Sequence, residues 1–487
     1  MIKLQDILYT VPLEAVHGNT SIAIRELRYD SRLVGLDDVF VATTGTTVDG
    51  HDYIERAVNA GAIAVICEVM PDFKVNGITY VQVQNSQKAL AIMAANYHGN
   101  PSKNLKLVGI TGTNGKTTTA TLLYDLFTQA GYSCGLLSTV VIKVAGAEYK
   151  ATHTTPDSLV INDYLSLMNA QGVEFCFMEV SSHGIDQERT TALQFAGGVF
   201  TNLSHDHLDY HDTFKEYRDV KERFFDQLNS KAFAITNLDD KNGSFMLQNT
   251  KAQIRSYALK SYADYRGQIL ESSFNGQLLK INEQDVWTKL IGQFNAYNLT
   301  AVYAVAIELG LEPIDVLTHI SKLEPVAGRF QYAQSETGVH VIVDYAHTPD
   351  ALDNVLKTIQ DIRTRNEQLI TLVGCGGDRD TSKRPVMAQI ASSGSDKTIL
   401  TSDNPRTEDP DSIIRAMEEG VEAQYASRVL SITDRRQAIR TACSLANPGD
   451  ILLVAGKGHE TYQEINGERT DFDDFKITTC TLTELNK

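Results

Sequence analysis

The chain has 487 residues, 42% of them apolar and 22% charged, which suits a folded protein and, at roughly 150 residues per domain, about three domains. Its 61 acidic residues outnumber 44 basic ones, for a net charge of -17; that balance argues against a general nucleic-acid binder, which needs a basic surface to displace counterions, but leaves room for a local basic pocket. Six cysteines stand singly, no apolar run reaches about 18 residues, and residues 1–10 lack a charged start followed by an apolar stretch, so free thiols in a reducing compartment and a cytoplasmic protein that does not enter a membrane are expected.

In chain order, residues 1–102 hold short β-like runs at Asp38–Ala42 and Ala62–Cys67 and a helix from about Lys88 to Tyr97, ending at the breaker Asn100-Pro101-Ser102. A second unit, 103–325, opens with the apolar strand Leu105–Thr111. A helix with Leu122, Leu123, Leu126, Phe127 and Ala130 on one face follows, with Gly131 as its stop. Strands at Phe175–Val180, Gly198–Leu203 and Ala232–Thr236, separated by helices, predict a mainly parallel sheet. A third unit, 326–487, alternates strand Val339–Tyr345, a helix from Pro349, and strands Leu369–Val373, Lys397–Thr401 and Ile451–Ala455. The expected fold is α/β in three units, the last a second doubly wound, Rossmann-like sheet.

The strongest local signal is Gly112-Thr113-Asn114-Gly115-Lys116-Thr117-Thr118 between a strand and a helix. Glycines admit phosphate oxygens to backbone N–H groups, and the helix N-terminus adds partial positive charge. Lys116 is placed to reach phosphates and Thr117 to bind Mg²⁺. The loop is shorter than the general phosphate loop, whose first glycine falls at Ile110 here. A phosphate loop fixes nucleotide binding and leaves the reaction open among kinases, switches, transporters and ligases.

Glu179 lies within a predicted strand, with Ser181, Ser182 and His183 at its C-terminal end, where open α/β sheets gather ligand groups. A carboxylate there suits Mg²⁺. The run Ser204-His205-Asp206-His207-Leu208-Asp209-Tyr210-His211 admits a zinc site by its His-x-His spacing or a Mg²⁺–nucleotide site; the phosphate loop favours the second.

These motifs, together with Tyr297-Asn298, Gly328-Arg329 and Asp344-Tyr-Ala-His-Thr-Pro-Asp350, occur in the order found in the Mur ligases, and the chain resembles that family along essentially its whole length, the short phosphate loop included. The resemblance implies an ATP-dependent, amide-forming ligase of peptidoglycan precursor synthesis. In that family ATP phosphorylates a substrate carboxylate, and an amino acid's amine displaces phosphate. It implies that residues 1–102 bind the UDP substrate, 103–325 bind ATP and 326–487 bind the amino acid. Lys116, Glu179, His207 and Lys221 become the catalytic set. Thr117, Glu179, His207 and Lys221, the last as a carbamate, lie at Mg²⁺, while Asn298, Arg329, Asp344 and His347 join the loop around ATP. Ser31, Thr154, Thr155, Ser182 and Arg189 match positions that bind UDP-N-acetylmuramoyl-dipeptide.

The tetrapeptide Asp403-Asn404-Pro405-Arg406 resembles the signature of family members that add meso-diaminopimelate. Arg406 would take the far carboxylate that lysine lacks, and a buried arginine would repel a lysine ammonium. Arg379, Gly456 and Glu460 complete the expected pocket, with Glu460 suited to the far ammonium. His153-Thr154-Thr155-Pro156-Asp157 departs from the Thr-Thr-Gly form of some such members and occurs in some lysine-adding ones, so lysine is the alternative amine. Outside the class, the alternatives are a phosphate-loop regulatory ATPase and a zinc hydrolase; Gly374-Cys-Gly-Gly377 is too partial for dinucleotide binding. A monomer is expected.

Overall fold

The computed structural model describes residues 2–45, 48–204, 210–211 and 213–487. The first sheet orders its strands Leu13–His17, Thr79–Val83, Ala64–Cys67, Val39–Val41 and Leu27–Arg28; only the first pairing is antiparallel. Helix Ser86–Tyr97 buries Leu90 and Met93 on this sheet. It starts two residues before the expected point because the Asn85 side chain accepts from the Lys88 N–H and caps it.

The second sheet has eleven strands. At its centre Lys106–Thr111 lies between Gly197–Phe200 and Phe175–Glu179, all parallel, so the phosphate loop and Glu179 leave neighbouring strand ends. Helices Lys116–Gln129 and Gln293–Glu308 cover one face, Ser158–Ala170 and Phe214–Asp226 the other. Leu122, Leu126 and Phe127 are fully buried, each contributing about 1.5–3 kcal/mol. Both edges carry antiparallel hairpins that the sequence reading did not anticipate: Val141–Val144 with Ala147–Lys150, and Gly276–Ile281 with Gln284–Thr288. Their two-residue turns, Ala145-Gly146 and Asn282-Glu283, hold positive φ at both positions, the geometry that matches strand twist.

The third sheet runs Gln331–Gln334, His340–Asp344, Ile451–Ala455, Leu369–Val373, Lys397–Thr401, Val429–Ile432, parallel except for the first pair. Its strand ends deliver Asp344, Asp403 and Gly456 to one side. Among the described residues no helix is long and apolar enough to cross a membrane, and no cysteine is paired.

Candidate active site

Helix Lys116–Gln129 begins at Gly115, φ +86°, with no side chain capping its first amides, which leaves them directed at the loop. A Cβ on Gly112 (φ +148°) would stand 2.0 Å from Thr201 Oγ1, and one on Gly115 2.6 Å from Asn298 Oδ1; only glycine lets the loop pass both. Asn114 is fixed by its neighbours: its N–H donates to Asn202 Oδ1 at 2.9 Å and its carbonyl accepts from Thr201 Oγ1 at 2.7 Å. The Thr113 hydroxyl lies 3.1 Å from that of Tyr217. Lys116 Nζ donates to the Gly112 and Thr113 carbonyls at 3.0 and 2.8 Å. Lys221, 1% exposed, donates to the same Gly112 carbonyl at 2.9 Å and lies 4.8 Å over the Tyr217 ring. The structure thus brings two ammonium groups from distant parts of the chain to the base of one loop.

Glu179 is fully buried. One carboxylate oxygen accepts from Thr117 Oγ1 at 2.9 Å, the other from the Thr139 N–H at 2.7 Å. This oxygen-rich, dry pair at a strand end fits a small hard cation beside phosphates. Thr139, absent from the sequence expectations, also donates to Thr154 Oγ1 at 3.1 Å. Thr155 is 1% exposed; its hydroxyl donates to the Glu179 carbonyl and accepts from the Ser181 N–H, which puts it beneath the site rather than on its surface. Ser182, at the start of helix Ser182–Asp186, is buried with its hydroxyl unpartnered. His207, within 205–209, lies outside the described residues.

Arg189 Nη1 donates to the Thr155 carbonyl at 2.6 Å and Nη2 to Gln187 Oε1 at 2.6 Å, and burial pulls its pKa down. It stands beside a contact between the first two sheets: the Tyr29 hydroxyl donates to Asp157 Oδ2 at 3.3 Å. Burial, with Asp157 adding to it, pushes the Tyr29 phenol up to about 12. Ser31 follows two residues later and is 8% exposed.

The second and third sheets meet at the loop. Arg329 Nη2 lies 3.3 Å from Thr117 Oγ1, its guanidinium 4.4 Å over the Tyr345 ring. Asp344 accepts from the Phe330 N–H at 2.6 Å; burial raises its carboxyl to about 6 against the pull of Arg329. His347 Nδ1 is 2.9 Å from the Tyr345 carbonyl. Asn298 is buried on helix Gln293–Glu308 behind Gly115. Two junction contacts were not foreseen: Asn114 Nδ2 donates to Asp350 Oδ2 at 3.0 Å, and Lys383 Nζ to the His347 carbonyl at 3.0 Å.

In the third sheet, Asn404 Nδ2 donates to Glu460 Oε2 at 2.7 Å, so the runs 403–406 and 456–460 close on each other. Gly456, φ +115°, would press a Cβ to 2.7 Å from Asp403 Oδ2. Arg406 takes the left-handed region at φ +53° and donates from Nη1 to the Gly377 carbonyl at 2.6 Å, so the residue after Pro405 is held by its own side chain. Arg379, two residues past Gly377, is exposed. Burial first, then Asp403, pushes the Glu460 carboxyl up. Lys457, which the sequence analysis did not single out, is fully buried between these two runs. A lysine two residues past the apolar strand Ile451–Ala455 was the available signal, because a cation entering a core there must find partners.

Comparison with known proteins follows the same three-part division. Family models described as Mur ligase family, catalytic domain, as Mur ligase middle domain, and as Mur ligase, glutamate ligase domain match residues 23–98, 110–306 and 328–458. The chain is 49% identical to a UDP-N-acetylmuramoyl-L-alanyl-D-glutamate--2,6-diaminopimelate ligase of Cytophaga hutchinsonii, covering 100% of each chain. It is 49% identical to the protein of that name in Bacteroides thetaiotaomicron, covering 97% of this chain and 98% of that one. A solved structure of a ligase of the same name aligns with TM-score 0.71 and 33% identity, covering 100% of this chain and 99% of the other.

Proposed function

The chain belongs to the Mur ligase family, and on that premise we propose that it joins meso-diaminopimelate to the D-glutamate carboxylate of UDP-N-acetylmuramoyl-L-alanyl-D-glutamate, at the expense of ATP. The observation that carries the choice of amine is the closure of the runs 403–406 and 456–460 on each other through Asn404 and Glu460, with the Arg406 side chain held at the Gly377 carbonyl, which supplies both a carboxylate and a guanidinium for a far ammonium-and-carboxylate centre. Relatives at 49% identity over the full length bear the same name.

In this reading residues 1–102 hold the uridine end, with Ser31 beside it; 103–325 hold ATP and the dipeptide; 326–487 hold the amine. Gly112 to Thr118 cradle the phosphates, with Lys116 swinging from the Gly112 and Thr113 carbonyls onto them. Asn298, Arg329, Asp344 and His347 close around the nucleotide. Thr154, Ser182 and Arg189 orient the dipeptide, and Thr155 holds the turn beneath it. The dipeptide carboxylate attacks the terminal phosphate of ATP and ADP leaves; the free amine then attacks the acyl phosphate, and the tetrahedral adduct expels phosphate. Carboxylate is a poor electrophile and phosphate a good leaving group, so the protein's share is alignment and charge neutralisation. Thr117 and Glu179 would hold Mg²⁺, which when bound offsets charge on the phosphate oxygens; His207 and Lys221 join that set, Lys221 as a carbamate whose oxygens replace its ammonium.

The test is product formation with ATP, Mg²⁺ and the UDP-muramoyl-dipeptide, with meso-diaminopimelate, L-lysine or no amine in parallel tubes. A tripeptide product and stoichiometric phosphate only with diaminopimelate is the expected result. Product with lysine alone overturns the choice of amine. Phosphate release independent of both substrates overturns the ligase reading in favour of a simple ATPase.

A further inference from the structure

Lys457 is fully buried, yet lies among charges. Its Nζ donates to Asn404 Oδ1 at 2.8 Å and to Glu460 Oε2 at 3.3 Å, and stands 3.5 Å from Asp403 Oδ1. Two hydrogen bonds and one ion pair thus turn the ammonium towards protein groups. The same Asn404 oxygen accepts from the Glu464 N–H at 3.0 Å. With its oxygen fixed from two sides, the amide must turn its nitrogen to Glu460. Lys457 also changes the charge balance. Asp403 and Glu460 are two carboxylates; Lys457 and Arg406 are two cations. Of the two cations only Lys457 touches both carboxylates, so it offsets one of their two negative charges where they meet.

We infer that Lys457 is a specificity-determining positioning residue for the amine: it locks the Asn404 amide and offsets Asp403, so that the pocket suits an amine whose far end is a neutral zwitterion over one ending in a bare ammonium. This rests on the ligase reading above. Without Lys457 the pocket is one unit charge more negative, which favours a cationic far end over a zwitterion. Specificity here is a difference between two affinities, and a buried charge that touches neither ligand shifts that difference.

The experiment compares kcat/KM for meso-diaminopimelate and for L-lysine in the full-length protein, in Lys457→Met, Lys457→Gln and Lys457→Met/Asp403→Asn, under alkaline conditions that keep Glu460 ionised. In both single variants the diaminopimelate-to-lysine ratio falls by about tenfold or more, the scale of one unit charge several ångströms away at intermediate dielectric. The change lies in KM for the amine, and KM for ATP stays put. The double variant, which removes the charge that Lys457 offset, returns the ratio towards the parent's. A poorly folding variant lowers kcat for both amines alike and leaves the ratio untouched, so partial unfolding does not imitate the effect. An unchanged ratio in both single variants, or a double variant no more selective than Lys457→Met, overturns the inference and leaves the ligase reading standing. A parent protein that makes product with neither amine overturns the reading beneath it.

Discussion

Asp344→Asn should make the protein more stable and a worse enzyme. Burial raises the Asp344 carboxyl from the ordinary 3.8 to about 6, with Arg329 and the Phe330 N–H already counted on the other side. At about 1.4 kcal/mol per unit, the ionised side chain costs the folded state about 3 kcal/mol at neutral pH. The sign follows from linkage. A carboxyl whose folded pKa is raised binds its proton more tightly when folded; the favourable contribution is complete below 3.8 and is lost as pH rises through about 6. Asparagine keeps an oxygen for the Phe330 N–H and never ionises. The variant should therefore gain about 1–3 kcal/mol above pH 7, a Tm rise of roughly 2–10 °C for a unit of this size, and the gain should shrink as pH falls from 6 towards 4. Thermal unfolding of both proteins across that range reads it directly, and KM for ATP should rise if Asp344 accepts from the nucleoside. An asparagine variant less stable than the parent at pH 7.5, or a gap that ignores pH, would refute the reasoning.

Arg406→Met should raise KM for meso-diaminopimelate by roughly 10- to 100-fold, the range for losing a charge-assisted hydrogen bond, with lysine turnover unharmed; steady-state kinetics with each amine checks this. Thr117→Val removes a donor from the fully buried Glu179 and should cost about 1–3 kcal/mol of stability while raising the Mg²⁺ concentration for half-maximal rate, read by a Mg²⁺ titration. Gly112→Ala drives a Cβ to 2.0 Å from Thr201 Oγ1 at φ +148°; ATP binding measured by calorimetry should disappear. A carbamate on Lys221 should appear as one added carbon dioxide in mass spectra recorded without acid, and vanish in Lys221→Ala together with most of kcat.

The strands that build the sheet centres were legible because both their faces are covered: Lys106–Thr111, Phe175–Glu179 and Ile451–Ala455 read as unbroken apolar runs. The strand Tyr265–Ser273, third from one edge of its sheet, was not, because alternate residues such as Arg266 and Gln268 face solvent and the run looks like loop. The phosphate loop was legible because its glycines serve a local need. Asn114 with Asp350 and Tyr29 with Asp157 were not, since 236 and 128 residues separate the partners and nothing local in either residue points to the other. Nor could the sequence show that the Thr155 hydroxyl bridges the backbone of Glu179 and Ser181, 24 and 26 residues away.

A last piece of the cluster formed by 403–406 and 456–460 lies beneath it. Arg435, 1% exposed, pairs with the fully buried Asp474 at 2.6 Å. Replacing such a buried pair by apolar side chains of the same volume is often neutral or stabilising, so stability alone does not account for it. Its remaining N–H groups do: they donate to the Ser402 and Ala455 carbonyls at 3.3 and 3.0 Å. Those carbonyls directly precede Asp403 and Gly456. Strands Lys397–Thr401 and Ile451–Ala455 are not neighbours in the sheet, since Leu369–Val373 runs between them, and no ladder of backbone hydrogen bonds sets the distance between their ends. One guanidinium spanning both ends fixes that distance, and with it the separation of Asn404 from Glu460 on which the pocket depends.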